Sequence, residues 1–305
     1  MNEFLKIREE LGVILTNSVK ILFRNIKFIW LFWIVNIIFG IVLTIPFYYL
    51  AVVTLSNSIS SFYIASHYDF DWFFQIAALY RTNFEQYEYF IIPAGFVYLL
   101  VQLFLIGGIV TVYNHDTKAH HLDFFYGSVR YFIRFFKVFL ISFTLIMIII
   151  QVFILLNKSL TYIFIESENK DFEYFLKFLC LLFGFLLIII VNIISDYTKV
   201  SLAILNKNEV LKQYWWTIKF IYYNFGKIFT TFMIVGILGV VLAVIYNIVD
   251  VYIPKQDYYL ILIFIIQQII ILGRILIKLF FYSTQVQLYK DLTAEELDYT
   301  TQGDI

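Results

Sequence analysis

Six stretches of the chain are apolar for long enough to cross a bilayer as helix. They fall at roughly 28–54, 89–113, 138–156, 176–196, 228–253 and 258–281, and a span needs about 20 such residues. Residues 140–156 and 178–194 carry no formal charge at all. The first stretch does not read as a signal peptide. It follows a charged amphipathic segment, exceeds the length of a signal core and has no small-residue cleavage pattern behind it.

A different pattern precedes each odd-numbered span. Ser18-Val19-Lys20 leads to Arg24 and Lys27; Ser128-Val129-Arg130 leads to Arg134 and Lys137; Thr217-Ile218-Lys219 leads to Tyr223 and Lys227. Steps of four and seven residues gather the cations of the first two on one helical face; in the third Tyr223 stands where Arg is expected and Lys227 comes one place later. Around the second ladder Leu122, Phe125, Val129, Phe132 and Phe136 follow the helical period on another face. Such a helix is expected to lie flat on the inner leaflet, with rings in the acyl boundary and cations among anionic headgroups. The expected lipid contacts are therefore Lys20, Arg24, Lys27, Arg130, Arg134, Lys137, Lys219 and Lys227. The recurring unit is surface helix, span, span, over about 3–113, 119–196 and 206–283. Three parallel units predict pseudo-threefold symmetry about the membrane normal.

The fold expected is thus all-α: a polytopic bundle of six transmembrane helices with three amphipathic interfacial helices. It forms one domain over 1–290, followed by a polar acidic tail over 291–305. Sixteen Lys and Arg fall on the side of the termini and five on the other, with Arg274 inside a span. Positive loops resist translocation, so both termini are expected in the cytoplasm. The long outer segment, 55–88, combines Asp69, Asp71, Glu85 and Glu88 with aromatic residues such as Trp72 and Phe73, a mixture suited to the outer interface.

Composition narrows the function classes. The 305 residues are 62% hydrophobic and 14% charged, with mean hydropathy +0.84, which excludes a soluble domain, a disordered chain and a nucleic-acid-binding domain. One cysteine, Cys180, excludes an intrachain disulfide and a multi-cysteine metal site. His115, Asp116, His120 and His121 share one inner loop and have ligand chemistry, but solvated loop residues are the commoner outcome, so no metal and no cofactor is expected. There is no HExxH, GxSxG, phosphate loop or Gly-rich dinucleotide turn.

What remains is polar chemistry inside the spans. Asn36, Gln102, Gln151, Asn192, Asn247 and the pair Gln267 and Gln268 act either as hydrogen-bonding glue between helices or as the lining of a site. In the sixth span Gln267, Arg274, Lys278 and Gln285 make one polar stripe. Arg274 can snorkel, hold an anion or pair with Asp196 at the inner end of the fourth span. Arg274, Asp196, Gln267 and Asn192 are the candidate intramembrane site.

Three segments carry a family resemblance: Gly127-Ser128-Val129-Arg130-Tyr131-Phe132, Asp196-Tyr197-Thr198-Lys199-Val200, and the Gln–Arg–Gln pattern of the sixth span. In these the chain resembles a broad group of six-span bacterial membrane proteins, similar to the membrane domain joined to some glycerophosphodiester phosphodiesterases. The resemblance implies a bacterial plasma membrane and six helices. With no appended catalytic domain in these residues, it implies no activity. Two functions are then open: a non-enzymatic protein that organises lipids or a membrane partner complex, and a transporter or permease component with its site at Arg274 and the span amides.

Overall fold

The computed structural model describes residues 10–55, 78, 81–115, 118–165, 170–253 and 259–302. The outer stretch bearing Asp69, Asp71, Trp72 and Phe73 lies outside the described residues, as does Asp116. Among the described residues the chain is all-α. The helices are α1 (Leu11–Arg24), α2 (Ile29–Leu55), α3 (Arg81–Asn114), α4 (His121–Ile163), α5 (Lys170–Ile204), α6 (Val210–Tyr223), α7 (Phe225–Tyr252) and α8 (Leu260–Gln302). Six of them, α2, α3, α4, α5, α7 and α8, are long and apolar enough to cross a membrane.

The second ladder segment folds differently from the first and third, and single residues explain it. Asn25 closes α1 at φ −112°, ψ 21°, and its side-chain amide donates to the Ile21 carbonyl at 3.2 Å. Asn224 closes α6 at φ −113°, ψ 20°, donating to the Phe220 carbonyl at 3.0 Å. Asn tolerates such a helix end because its side chain bonds the local backbone. The second ladder has no Asn before its span, and α4 runs unbroken from His121 to Ile163. That helix is about 64 Å long, twice the depth of a bilayer core. The flat-lying surface helix expected at 119–137 is therefore not a separate element but the first half of α4.

Each ladder segment packs on the C-terminal half of a long helix. α1 packs on α8, where the Ser283 hydroxyl donates to the Ser18 carbonyl at 2.9 Å. The first half of α4 packs on α3, and α6 packs on α5. The α3–α4 contact is the closest, because it runs glycine to glycine. A Cβ on Gly108 would come within 2.7 Å of the Phe124 ring, and one on Gly127 would collide with the Thr111 side chain. Small residues let the backbones approach to this degree. Ser18, Ser128 and Thr217 are all at 0% exposure, while Lys20, Arg130 and Lys219, two residues on, are exposed.

The core occupies only part of the bundle. Val110 of α3, Val200 of α5 and Val286 of α8 are wholly buried in it. Buried residues stop at Phe32 in α2, Ser142 in α4 and Val235 in α7, and begin at Gln102 in α3 and Ile275 in α8. In α5 they run from Val191 onward, with Glu173 and Gly184 as outliers. Towards the other end the helices present apolar side chains outward, among them Ile148, Phe185, Ile237 and Phe264. α8 continues through the core, burying Leu288, Tyr289 and Leu292. The boundary expected at residue 291 thus falls inside a packed helix, which reaches Gln302.

Candidate intramembrane polar site

The polar stripe of α8 divides between two surroundings. Gln285 lies in the core at 1% exposure, and neither its amide nitrogen nor its oxygen has a hydrogen-bond partner among the described residues. Gln267, Arg274 and Lys278 line a cavity of about 760 Å³ between α7 and α8. The rest of its wall is mostly apolar, with Val235, Leu242, Ile270 and Phe281, plus Tyr246. Gly236 and Gly239 form part of the α7 side, and a Cβ on either would meet no atom within 4 Å.

Lys278 faces inward from this wall. Its ammonium donates to the Oε1 of Gln102 on α3 at 2.7 Å and stands 5.8 Å from the centre of the Phe32 ring. Lys278 is thereby held by a neutral amide rather than by a carboxylate. Arg274, one turn away, makes no hydrogen bond or ion pair among the described residues.

The pairing of Asp196 with Arg274, one of the three alternatives, is not formed. Asp196 binds Lys199 instead, at 3.0 Å, within its own helix. A partner three residues along the same helix needs no interhelical register. Asn192 does not line the α7–α8 cavity, so of the four candidates only Arg274 and Gln267 come together there. Lys278, which the stripe contained but the candidate set did not, completes the group.

The other span amides divide as well. Gln268 accepts from the Trp33 indole at 3.2 Å and Asn36 accepts from the Tyr98 hydroxyl at 2.7 Å, so both tie helices together. Both also edge a second cavity, of about 460 Å³, between α2 and α8. Asn247 donates within its own helix, to the Ala243 carbonyl at 2.9 Å.

The ladder cations fall into two groups. Arg24 donates to the His115 carbonyl at 3.1 Å, Lys27 to the Ala119 carbonyl at 2.7 Å, and Arg134 to the Asn206 Oδ1 at 3.0 Å. Lys227 faces Asp291 at 3.8 Å. These four fasten neighbouring helix ends to one another. Lys20, Arg130, Lys137 and Lys219 are exposed. Arg130 also leans on the Tyr126 and Tyr131 rings, at 5.5 and 5.7 Å.

Sequence reasoning missed a buried hydroxyl network beneath the cavity. The Ser201 hydroxyl meets the Tyr289 hydroxyl at 2.9 Å and accepts from the Gln213 amide, joining α5, α6 and α8. The Tyr131 hydroxyl donates to the Ala203 carbonyl at 3.0 Å. Burial raises the Tyr214 phenol above its ordinary range, opposed by its contact with Ser142. His121 of the inner loop stacks edge-on against Phe28, at 5.3 Å between rings. Among the described residues no three His, Cys, Asp or Glu side chains cluster as metal ligands.

Compared with protein-family models, with curated proteins and with solved structures, the chain matches none.

Proposed function

We propose that the chain is a non-enzymatic integral protein of a bacterial cell membrane, with both termini cytoplasmic, that organises anionic lipid of the inner leaflet. The observation that carries this reading is the common orientation of the three ladders. In each, the hydroxyl residue is buried against a long helix and the cation two residues on is exposed. Exposed apolar residues accompany the cations, among them Phe23 beside Lys20, Val129 beside Arg130, and Tyr222 near Lys219. Cations beside apolar surface suit the level where headgroups meet acyl chains.

The same arrangement supports a threefold internal repeat. Asn25 and Asn224 occupy matching places and share one backbone conformation and one side-chain bond. Arg24, Arg134 and Lys227 each reach the inner end of the second span of their own unit, at His115, Asn206 and Asp291. Each ladder segment in turn packs on the second span of the unit before it: α4 on α3, α6 on α5 and, closing the ring, α1 on α8.

The test is thermal unfolding in nanodiscs of anionic or zwitterionic lipid. The wild type is expected to melt higher in anionic lipid, and the triple variant Lys20→Gln, Arg130→Gln, Lys219→Gln to lose that difference while keeping its zwitterionic midpoint. An unchanged difference in the triple variant contradicts the reading.

A second reading, a transporter or permease component, is favoured by one observation: Arg274 stands on a cavity wall rather than in a filled centre. It predicts that neutralising Arg274 abolishes uptake of a solute by reconstituted vesicles.

A further inference from the structure

The α7–α8 cavity has a feature that neither surface cations nor helix packing accounts for. Arg274 and Lys278 are one turn apart on the same helix and both border this space, the Lys278 ammonium being turned to Gln102. The nearby carboxylate, Asp196, is taken by Lys199. Lys278 is met by the neutral Gln102, and Arg274, with the Tyr98 phenol in its field, has no hydrogen bond or ion pair among the described residues.

Depth sharpens the point. Ser283, where α1 crosses α8, lies nine residues beyond Arg274, or about 13 Å along the helix. With α1 at the inner headgroup level, the backbone of Arg274 stands close to the middle of a core about 30 Å thick. That is further than three methylenes and a guanidinium reach, so snorkelling does not return the charge to the inner headgroups. Ionisable groups at such depth pair with one another or face a cavity that supplies a partner.

We propose that this cavity binds the phosphate of an anionic amphiphile, with Arg274 and Lys278 on the phosphate and an acyl chain along the wall at Gly236 and Gly239. A guanidinium and an ammonium side by side match a phosphate's charge and acceptor oxygens, the guanidinium by a two-pronged contact. Gln267 adds an amide further outward along the same helix. The volume, about 760 Å³, falls in the range of small-molecule sites. The wall away from the cations is mainly apolar, and space lies open over both glycines. Free orthophosphate would leave that part of the cavity unused, whereas a lipid phosphate brings a chain to fill it. The same site serves whether the ligand is held or moved, and the inference takes from the surface-cation reading only the level of α1, from which the depth of Arg274 is counted.

The experiment is native mass spectrometry of the full chain released from micelles that contain phosphatidylglycerol and phosphatidylcholine in equal amounts. The wild type is expected to retain phosphatidylglycerol selectively. Arg274→Gln should weaken retention about tenfold or more, the loss of a charged contact worth at least that factor. Gly239→Leu should also lower retention without lowering the unfolding midpoint, because a Cβ there meets no atom within 4 Å. This second variant keeps the test decisive should Arg274→Gln fail to fold. Added orthophosphate should leave retention unchanged. Equal retention by wild type and Gly239→Leu would overturn the proposal, and so would displacement of the lipid by millimolar orthophosphate, which would assign the cations to a free anion.

Discussion

Lys278 of the last span donates to Gln102 of the second at 2.7 Å, at the level where the bundle changes from packed to open. Below it Val110, Val200 and Val286 are wholly buried; beyond it α3 holds no buried residue and α8 only Ile275 among those described. The bond thus joins two helices where the core ends, and it sets Lys278 beside the α7–α8 cavity.

Removing that bond should be felt. Lys278→Met leaves the Gln102 oxygen without its donor, and its amide nitrogen already lacks a partner among the described residues. A buried polar group left unmet costs about 1–3 kcal/mol. Chemical unfolding in detergent should show that loss, and the added change Gln102→Leu should recover part of it. Strict additivity of the two substitutions would deny the coupling.

Two glycine substitutions should separate packed from open surface. Gly108→Val drives a side chain into Phe124 and Ser128 and should cost about 1–3 kcal/mol, the usual range for overpacking. A Cβ on Gly239 meets no atom within 4 Å, so Gly239→Leu should not destabilise and should gain at most about 1 kcal/mol of helix propensity. Thermal melts of the two variants side by side check both values.

Asn224 should act as the switch between a broken and a continuous helix. Replacing it by Leu removes the bond to the Phe220 carbonyl and gives α6 and α7 the continuity that α4 has. The expected result is a longer distance between spin labels at positions 212 and 240 than in the wild type. An unchanged distance would assign the break to packing rather than to Asn224.

The six spans were legible because a run of about 20 apolar residues is long enough to cross a bilayer core and longer than most buried helices of soluble domains. The ladders were legible as patterns, but whether each forms its own helix turned on single residues, Asn25 and Asn224 against an uninterrupted α4. The polar site was half legible. The stripe on α8 follows from periodicity alone, whereas the choice of partner for Asp196 does not. Lys199 competes from the same helix, and its advantage depends on where α5 and α8 stand relative to each other. That Asn36 and Gln268 could bond across helices follows from placing an amide in hydrocarbon. Their partners Tyr98 and Trp33 do not, since tertiary register decides which rings come near.

The orientation proposed from the basic loops has its own check. Green fluorescent protein fused after residue 305 should fluoresce in bacteria, and alkaline phosphatase inserted between residues 166 and 169 should be active. Inactive phosphatase with a dark C-terminal fusion would invert the topology.

The most direct measurement of the central claim is a cryo-electron microscopy map of the full chain in nanodiscs containing phosphatidylglycerol. Elongated density is expected between α7 and α8, its head within hydrogen-bonding distance of Arg274 and its tail over Gly236 and Gly239. Arg274 paired with Asp196, or a cavity closed by α7 against α8, would contradict it.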